Sequence, residues 1–556
     1  MTLNRLFVVP AVVFVVALPA GAQHDHSAAP AAAPQPAVLY DDLGTYHRAI
    51  TTRSPEAQKY FDQGMRLLYA FNLEEAQHSF EEAAKLDPKC ASCFWGAGMS
   101  LGPHINYAAQ PDRTKAANAA AQKAVSLAKK ATPVERALIA ALAKRYSDPP
   151  PADEAGQKAL DTAYADAMRE VAKRFPDDPD AGALFAEAMM NLRPWGLWTR
   201  DGQPQPGTEE ILATLERVLA KSPNHPGANH YYIHSVEASP HPEKGIAAAE
   251  RLGSLEPGAA HLVHMPSHIY ARVGRWEEAS EVNRKAIAVD QGYLPKAGPL
   301  GIYFMYVAHN YQFLWSTATM QGRSAEALEN ARAVVTQAPV EMLRQMPGLD
   351  FVLEYPIWTL VKFGRWEDAL AEPAPPAEFL YATAVWHAAR GLAFAGLGRL
   401  EEAKKELAST RETGAGLPAD AMAAFNSAHH LLAIAENMLA GEIAAKRGDM
   451  DEAVRRLEEA AKTEDSLRYD EPPDWYVPTR HALGAALLAA GRPAEAEKVW
   501  EEDLRRHPEN GWSLHGLAES LRLQKKDDTA ARQRFEAAWK NADMKLAAAG
   551  KINSEE

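Results

Sequence analysis

The feature that most constrains this chain is a recurring spacing of small residues at helical offsets. In YFDQGMRLLYAFNLEEAQHSFEEAAKLDP, Gly64, Ala76, Phe80, Ala83 and Pro88 mark a helix–turn–helix unit. Small residues let two antiparallel helices approach closely, Phe80 fills the gap between them, and Pro88 ends the second helix. Glycine followed by alanine returns at Gly274/Ala279, Gly322/Ala327, Gly364/Ala369, Gly398/Ala403, Gly448/Ala453 and Gly491/Ala496. A chain of 556 residues exceeds one compact core unless that core grows along its length, as a repeat array allows. Abundant alanine and few strongly β-forming runs favour helix throughout.

These residues resemble the tetratricopeptide repeat, a 34-residue helix–turn–helix unit. The resemblance implies an all-α solenoid wound as a right-handed superhelix and covers residues 51–545, leaving a polar tail at 546–556. HLVHMPSHIYARVGRWEEA also resembles a stretch that recurs in exported bacterial tetratricopeptide proteins. Pro/Gly-rich stretches at 148–154, 195–207, 291–301, 372–378 and 471–475 read as loops or insertions between repeats.

The N-terminus reads as a leader. Arg5 precedes an apolar run from Leu6 to Leu18, and Ala20-Gly21-Ala22 supplies a small-residue cleavage pattern, so residues 1–22 read as a signal peptide. Residues 23–50, Pro/Ala-rich at their start, read as a disordered tether. The expected location is the periplasm or the extracellular space, with no membrane span after cleavage. Lys plus Arg number 59 against 73 Asp plus Glu, a formal net charge of −14 that disfavours a nucleic-acid partner.

In the resembled family, positions 2, 5, 9 and 12 of each first helix face the concave groove, a spacing that forms one stripe. Here that stripe begins with Phe61 and Met65, and one period later with Trp95 and Met99. Such residues read either as packing between helices or as an adaptable peptide groove. Near the C-terminus, His481 and His515 are one period apart, with Trp512 beside the latter.

The middle repeats change character. His230 and His234 are four residues apart, and His264 and His268 repeat the pair 34 residues later; His261 and Glu237 share the stripe. An i, i+4 pair sets two Cβ atoms about 5–6 Å apart on helices packed about 8–10 Å apart, so four imidazoles can converge on one point. Three readings follow: ligands for Zn, Cu or Ni with Glu237 or Glu187 as carboxylate partner, donors to a polar ligand, or histidines satisfied by their neighbours. Pro266, between His264 and His268, threatens the geometry of the second pair.

The chain has two cysteines, Cys90 and Cys93, read as a local disulfide, with thiol exchange as the alternative. Gly98-Met99-Ser100-Leu101-Gly102 matches a nucleophile pattern that needs a strand-to-helix elbow, which a repeat helix does not supply. With no coherent catalytic constellation, the sequence reads as a non-enzymatic exported scaffold or adaptor holding a protein or peptide partner in its groove. The alternative is a metal-binding protein or metalloenzyme centred on the histidine pairs.

Overall fold

The computed structural model describes residues 38–297 and 300–546. The expected leader, tether residues 23–37 and tail residues 547–556 lie outside them. Antiparallel helix pairs follow one another from Pro55–Tyr69/Leu73–Leu86 to Gly511–Leu523/Thr529–Ala538. Most helices pack against their successors, and first helices of neighbouring pairs also touch, as Pro55–Tyr69 and Ala91–Ser100 do. The only paired strands among the described residues are a small hairpin, Met422–Ala423 with Asn426–Ser427. No described helix is long and apolar enough to cross a membrane.

Local chemistry sets the ends of the helices. Ser54 caps the first helix by accepting from the Ala57 N–H, with Pro55 at its first position. Thr132 and Glu135 close a reciprocal capping box on Pro133–Leu142. The turn between paired helices needs positive φ, and six repeats meet this with Gly274, Gly322, Gly364, Gly398, Gly448 and Gly491.

Phe80 packs against the glycines of two successive first helices. A Cβ on Gly64 would lie 2.6 Å from its ring and one on Gly96 2.3 Å away. We expect Gly96→Ala to destabilise the chain by about 1–3 kcal/mol through overpacking. That outweighs the helix preference of Ala over Gly, about 1 kcal/mol. An unchanged urea midpoint would show that the Phe80 ring has room to retreat.

One core cluster runs from Leu43 to Val307 and a second from Trp315 to Ala531. The winding brings distant repeats together. The helix Pro55–Tyr69 meets Pro226–Val236, where Gly227 lies under the Tyr69 ring. Asn72 donates to the Tyr293 hydroxyl (3.0 Å) and Asn106 to that of Tyr306 (3.2 Å). Trp276 Nε1 donates to the Pro508 carbonyl (2.8 Å) and Trp512 Nε1 to that of Thr319 (2.9 Å).

This closure overturns the open-groove reading of the early stripe. Phe61 and Met65 are fully buried, and Trp95 and Met99 nearly so. Phe61 stacks edge-on with Phe80, and Met99 Sδ sits beside Arg145 and the Tyr164 hydroxyl. Trp512 is buried beneath the Lys362 ammonium, 3.8 Å from its ring centre. His481 is buried between Lys362 Nζ (2.7 Å) and Asp503 Oδ2 (3.1 Å), while His515 is half-buried against Phe535. An inward stripe forms a groove only where it stays uncovered, and here neighbouring side chains cover Phe61, Met65, Trp95, Met99 and Trp512.

The tether boundary also needs correction at residues 38–50. Leu43 is buried, the Asp42 carbonyl accepts from Gly258 N, and Arg48 reaches Asp178 and Asp180. Apolar and aromatic residues absent from the Pro/Ala-rich start give this part a surface to bury. Asp180 collects its donors: Arg48 at 2.5 Å, the Tyr69 hydroxyl at 2.5 Å, His225 Nε2 at 3.1 Å, and the Tyr46 hydroxyl.

Cys90 and Cys93 form a disulfide, and both are fully buried, which removes them from solvent thiol exchange. Ser100 is buried and donates to the Ala97 carbonyl, so the nucleophile-like pattern is a packing motif.

Candidate metal centre

The paired histidines lie on the inner helices Pro226–Val236, Ala260–His264 and Pro266–Arg272. Pro266 does not spoil the second pair. Met265 keeps helical dihedrals (φ −49°, ψ −35°), and Pro266 opens the next helical segment, where it sacrifices no helical N–H bond. His264 and His268 therefore still meet, with their Nε2 atoms 2.9 Å apart.

The four imidazoles do not converge on a single point. They divide between two trios: His230, His234 and His261, then His264, His268 and His309. Within each trio, one candidate ligand atom per residue lies within 4.8 Å of the others. The trios adjoin, with ring centres 5.8 Å apart for His234/His268 and 5.9 Å for His261/His264.

His309, on the helix Tyr303–Met320, was missed by sequence reasoning. It lies 41 residues after His268, one repeat plus seven residues. The 291–301 insertion displaces it from the 34-residue register. Seven residues is about two helical turns, so the same face is kept. Allowing for the insertion would have found it.

Hydrogen bonding fixes most of the tautomers. His230 Nδ1 lies 2.6 Å from the Tyr69 carbonyl, which can only accept, so that nitrogen carries the proton. His234 Nδ1 faces Glu237 Oε1 at 2.7 Å. His264 Nδ1 lies 2.6 Å from Asn283 Oδ1, an acceptor because the same amide donates to the Ala279 carbonyl. His309 Nδ1 faces Gln312 Oε1 at 3.0 Å, and that amide donates to the Tyr355 hydroxyl. His268 Nδ1 lies 2.5 Å from Glu237 Oε2, within ion-pair range though not aligned as a hydrogen bond.

In four of these rings, His230, His234, His264 and His309, protonation at Nδ1 leaves Nε2 with a bare lone pair. His234 Nε2 is buried without a partner. His264 points its lone pair at His268 Nε2, 2.9 Å away. His230 Nε2 meets His261 Nε2 at 3.2 Å, and His261 Nδ1 is buried without a partner.

Burial disfavours the imidazolium forms. It pushes His230 well down, with His234 adding to the effect, and does the same to His261 and His264 with neighbouring histidines. His234 is lowered by burial against the pull of Glu237. His309 is pushed down to about 4 by burial and His268. For Glu237, burial acts to raise the carboxyl, but His268 and His234 override it and hold it at about 2. That carboxylate is fully buried and contacts one histidine from each trio. Glu187 has no such role, since it pairs with Arg145 (3.2 Å) and Asn191.

Aromatic rings enclose the cluster. Tyr306 lies 4.4 Å from His261 and Phe313 4.9 Å from His268, centre to centre. The Trp195 edge meets His234, and its Nε1 donates to Asn106 Oδ1. Phe71 lies against His230 (4.6 Å), His261 (5.7 Å), His234 (6.2 Å) and His104 (4.2 Å). His104 is a further buried imidazole whose Nε2 has no partner.

Phe71 occupies the turn position where six other repeats place glycine, and it holds φ at +56°. Trp195 shares that strained region at +56°. Such conformations cost of order 1–3 kcal/mol and persist where surrounding structure requires them. Here each presses a ring against the imidazoles.

No family model matches this sequence, and no curated protein matches it. Among solved structures, the human IFIT1 dimer with m7Gppp-AAAA shares 14% identity, covering 89% of this chain and 92% of its own, at a TM-score of 0.31. The APC/C hetero-tetramer Cut9–Hcn1 shares 14% identity over 87% of this chain and 74% of its own, at 0.30. Yeast Tom70 shares 10% over 87% and 91%, at 0.28.

Proposed function

We propose that this chain is a transition-metal-binding protein whose helical repeats serve to build a buried histidine centre. The observation that carries the reading is the convergence of buried imidazole nitrogens, closest at His264 Nε2 and His268 Nε2, 2.9 Å apart. Two ring nitrogens at that distance share either a metal ion or a proton. His264 Nδ1 is held by Asn283 Oδ1 and His268 Nδ1 lies 2.5 Å from Glu237 Oε2, and such oxygen partners orient imidazole ligands toward a metal. His230 and His234 follow the same pattern. Imidazole donors suit Zn, Cu and Ni. The buried Cys90–Cys93 bond supports export to an oxidising compartment. A partner groove lined by Phe61, Met65, Trp95, Met99 and Trp512 has no open surface to work with.

The test is elemental analysis of untagged full-length protein, as purified and after incubation with copper, zinc or nickel and desalting. At least one ion per chain is expected, with at least one fewer in a His264→Asn/His268→Asn double variant of unchanged circular dichroism. Absence of stoichiometric metal under every condition would mean that a shared proton, not a metal, lies between the rings.

A further inference from the structure

We infer that the two trios hold two ions, forming a dinuclear cuprous-copper centre with Glu237 as a shared outer anion; this rests on the metal-binding reading above. Three observations support two ions rather than one. Each trio brings its own three candidate nitrogens within 4.8 Å of one another. His261 and His264 stand on one short helix but turn to different trios, with ring centres 5.9 Å apart. Both oxygens of Glu237 face Nδ1 atoms, one on each trio, so the carboxylate acts on both without entering either set of nitrogens.

The donor set and its charge select the ion. Each trio offers imidazole nitrogens alone, with no thiolate or carboxylate oxygen among them. The carboxylate in contact with the rings is Glu237, facing His234 Nδ1 and His268 Nδ1. Two divalent ions would leave about three positive charges uncompensated in a buried site, whereas two monovalent ions leave about one. The cost of burying charge rises steeply with its magnitude, which disfavours the divalent pair. Cuprous ion is monovalent and accepts three nitrogen donors, so each trio completes its coordination without water.

The experiment titrates metal-free full-length protein anaerobically with cuprous ion, and in parallel with zinc, then counts bound ions after removing the excess. Two copper ions per wild-type chain are expected, falling to one in His309→Ala and one in His230→Ala, with helical content unchanged. The half-buried His309 makes the first variant the gentler one, and the wild-type count stands without either. One copper per wild-type chain overturns the dinuclear centre while leaving the metal-binding reading intact; none with either metal removes both. Two ions retained in both variants, both ions lost in a folded His309→Ala, or two zinc with fewer than two copper would each overturn the inference.

Discussion

Replacing Asp180 with alanine is expected to lower unfolding free energy by about 3–5 kcal/mol, the range for breaking a buried charge pair from one side. Four donors lose their acceptor at once: Arg48, Tyr46, Tyr69 and His225. Arg48 keeps a bidentate pair with Asp178, which limits the loss. His225 Nδ1 accepts from Ala228 N, so its Nε2 holds the proton and cannot turn acceptor in compensation. The same network predicts acid sensitivity. Burial acts to raise the Asp180 carboxyl, but Arg48 and the hydrogen bonds from His225 and Tyr46 hold it well below the usual range. A depressed carboxylate gives stability that is complete above the unfolded value near 4 and lost as pH falls below it. Denaturant titrations at pH 7 and pH 3 should show wild type losing more stability than Asp180→Ala. Equal losses would show that Asp180 is not the group responsible.

Metal removal should produce the second large effect. An ion that binds the folded chain alone stabilises it by about 4 kcal/mol when its free concentration is a thousand times its dissociation constant. We therefore expect the denaturant midpoint to rise when copper is added to metal-free protein and to fall again with a strong chelator. His264→Asn/His268→Asn should shrink that difference. A midpoint indifferent to ion and chelator would place the cluster outside any linkage to folding.

The repeat was legible because it rests on volume: Gly64, Gly96 and Phe80 need one another wherever two such helices meet. The histidine pairs were legible for the same geometric reason, since four residues make about one helical turn. Their partition into trios was not. It depends on rotation between successive helix pairs and on His309, displaced by an insertion that sequence periodicity treats as interruption. Glu237 was readable as a carboxylate near the pairs, but its contact with both His234 and His268 needs the helices in place. The inward stripe was read as accessible because periodicity fixes which residues face the axis, not how much room the axis contains. Residues 38–50 were hidden by the composition of their neighbours: Leu43 and Arg48 sit just beyond a Pro/Ala-rich run. Phe71 was hidden because the spacing of a turn says nothing about the conformation that the turn demands.

The contact between His230 and the Tyr69 carbonyl bears on the order of assembly. It spans 161 residues, whereas His230 and His261 are 31 apart and His264 and His268 only 4. Closing a longer loop costs more entropy, and local contacts form faster than distant ones. Each trio can thus gather on its own stretch of chain before the first repeat docks, although that repeat is synthesised earliest. Phe71 and Tyr69 arrive together when it does, setting the His230 tautomer and covering the rings of the first trio in one event. An ion captured by His230, His234 and His261 before that moment would be covered by the docked repeat, so its residence would be governed by an opening rate as well as by affinity.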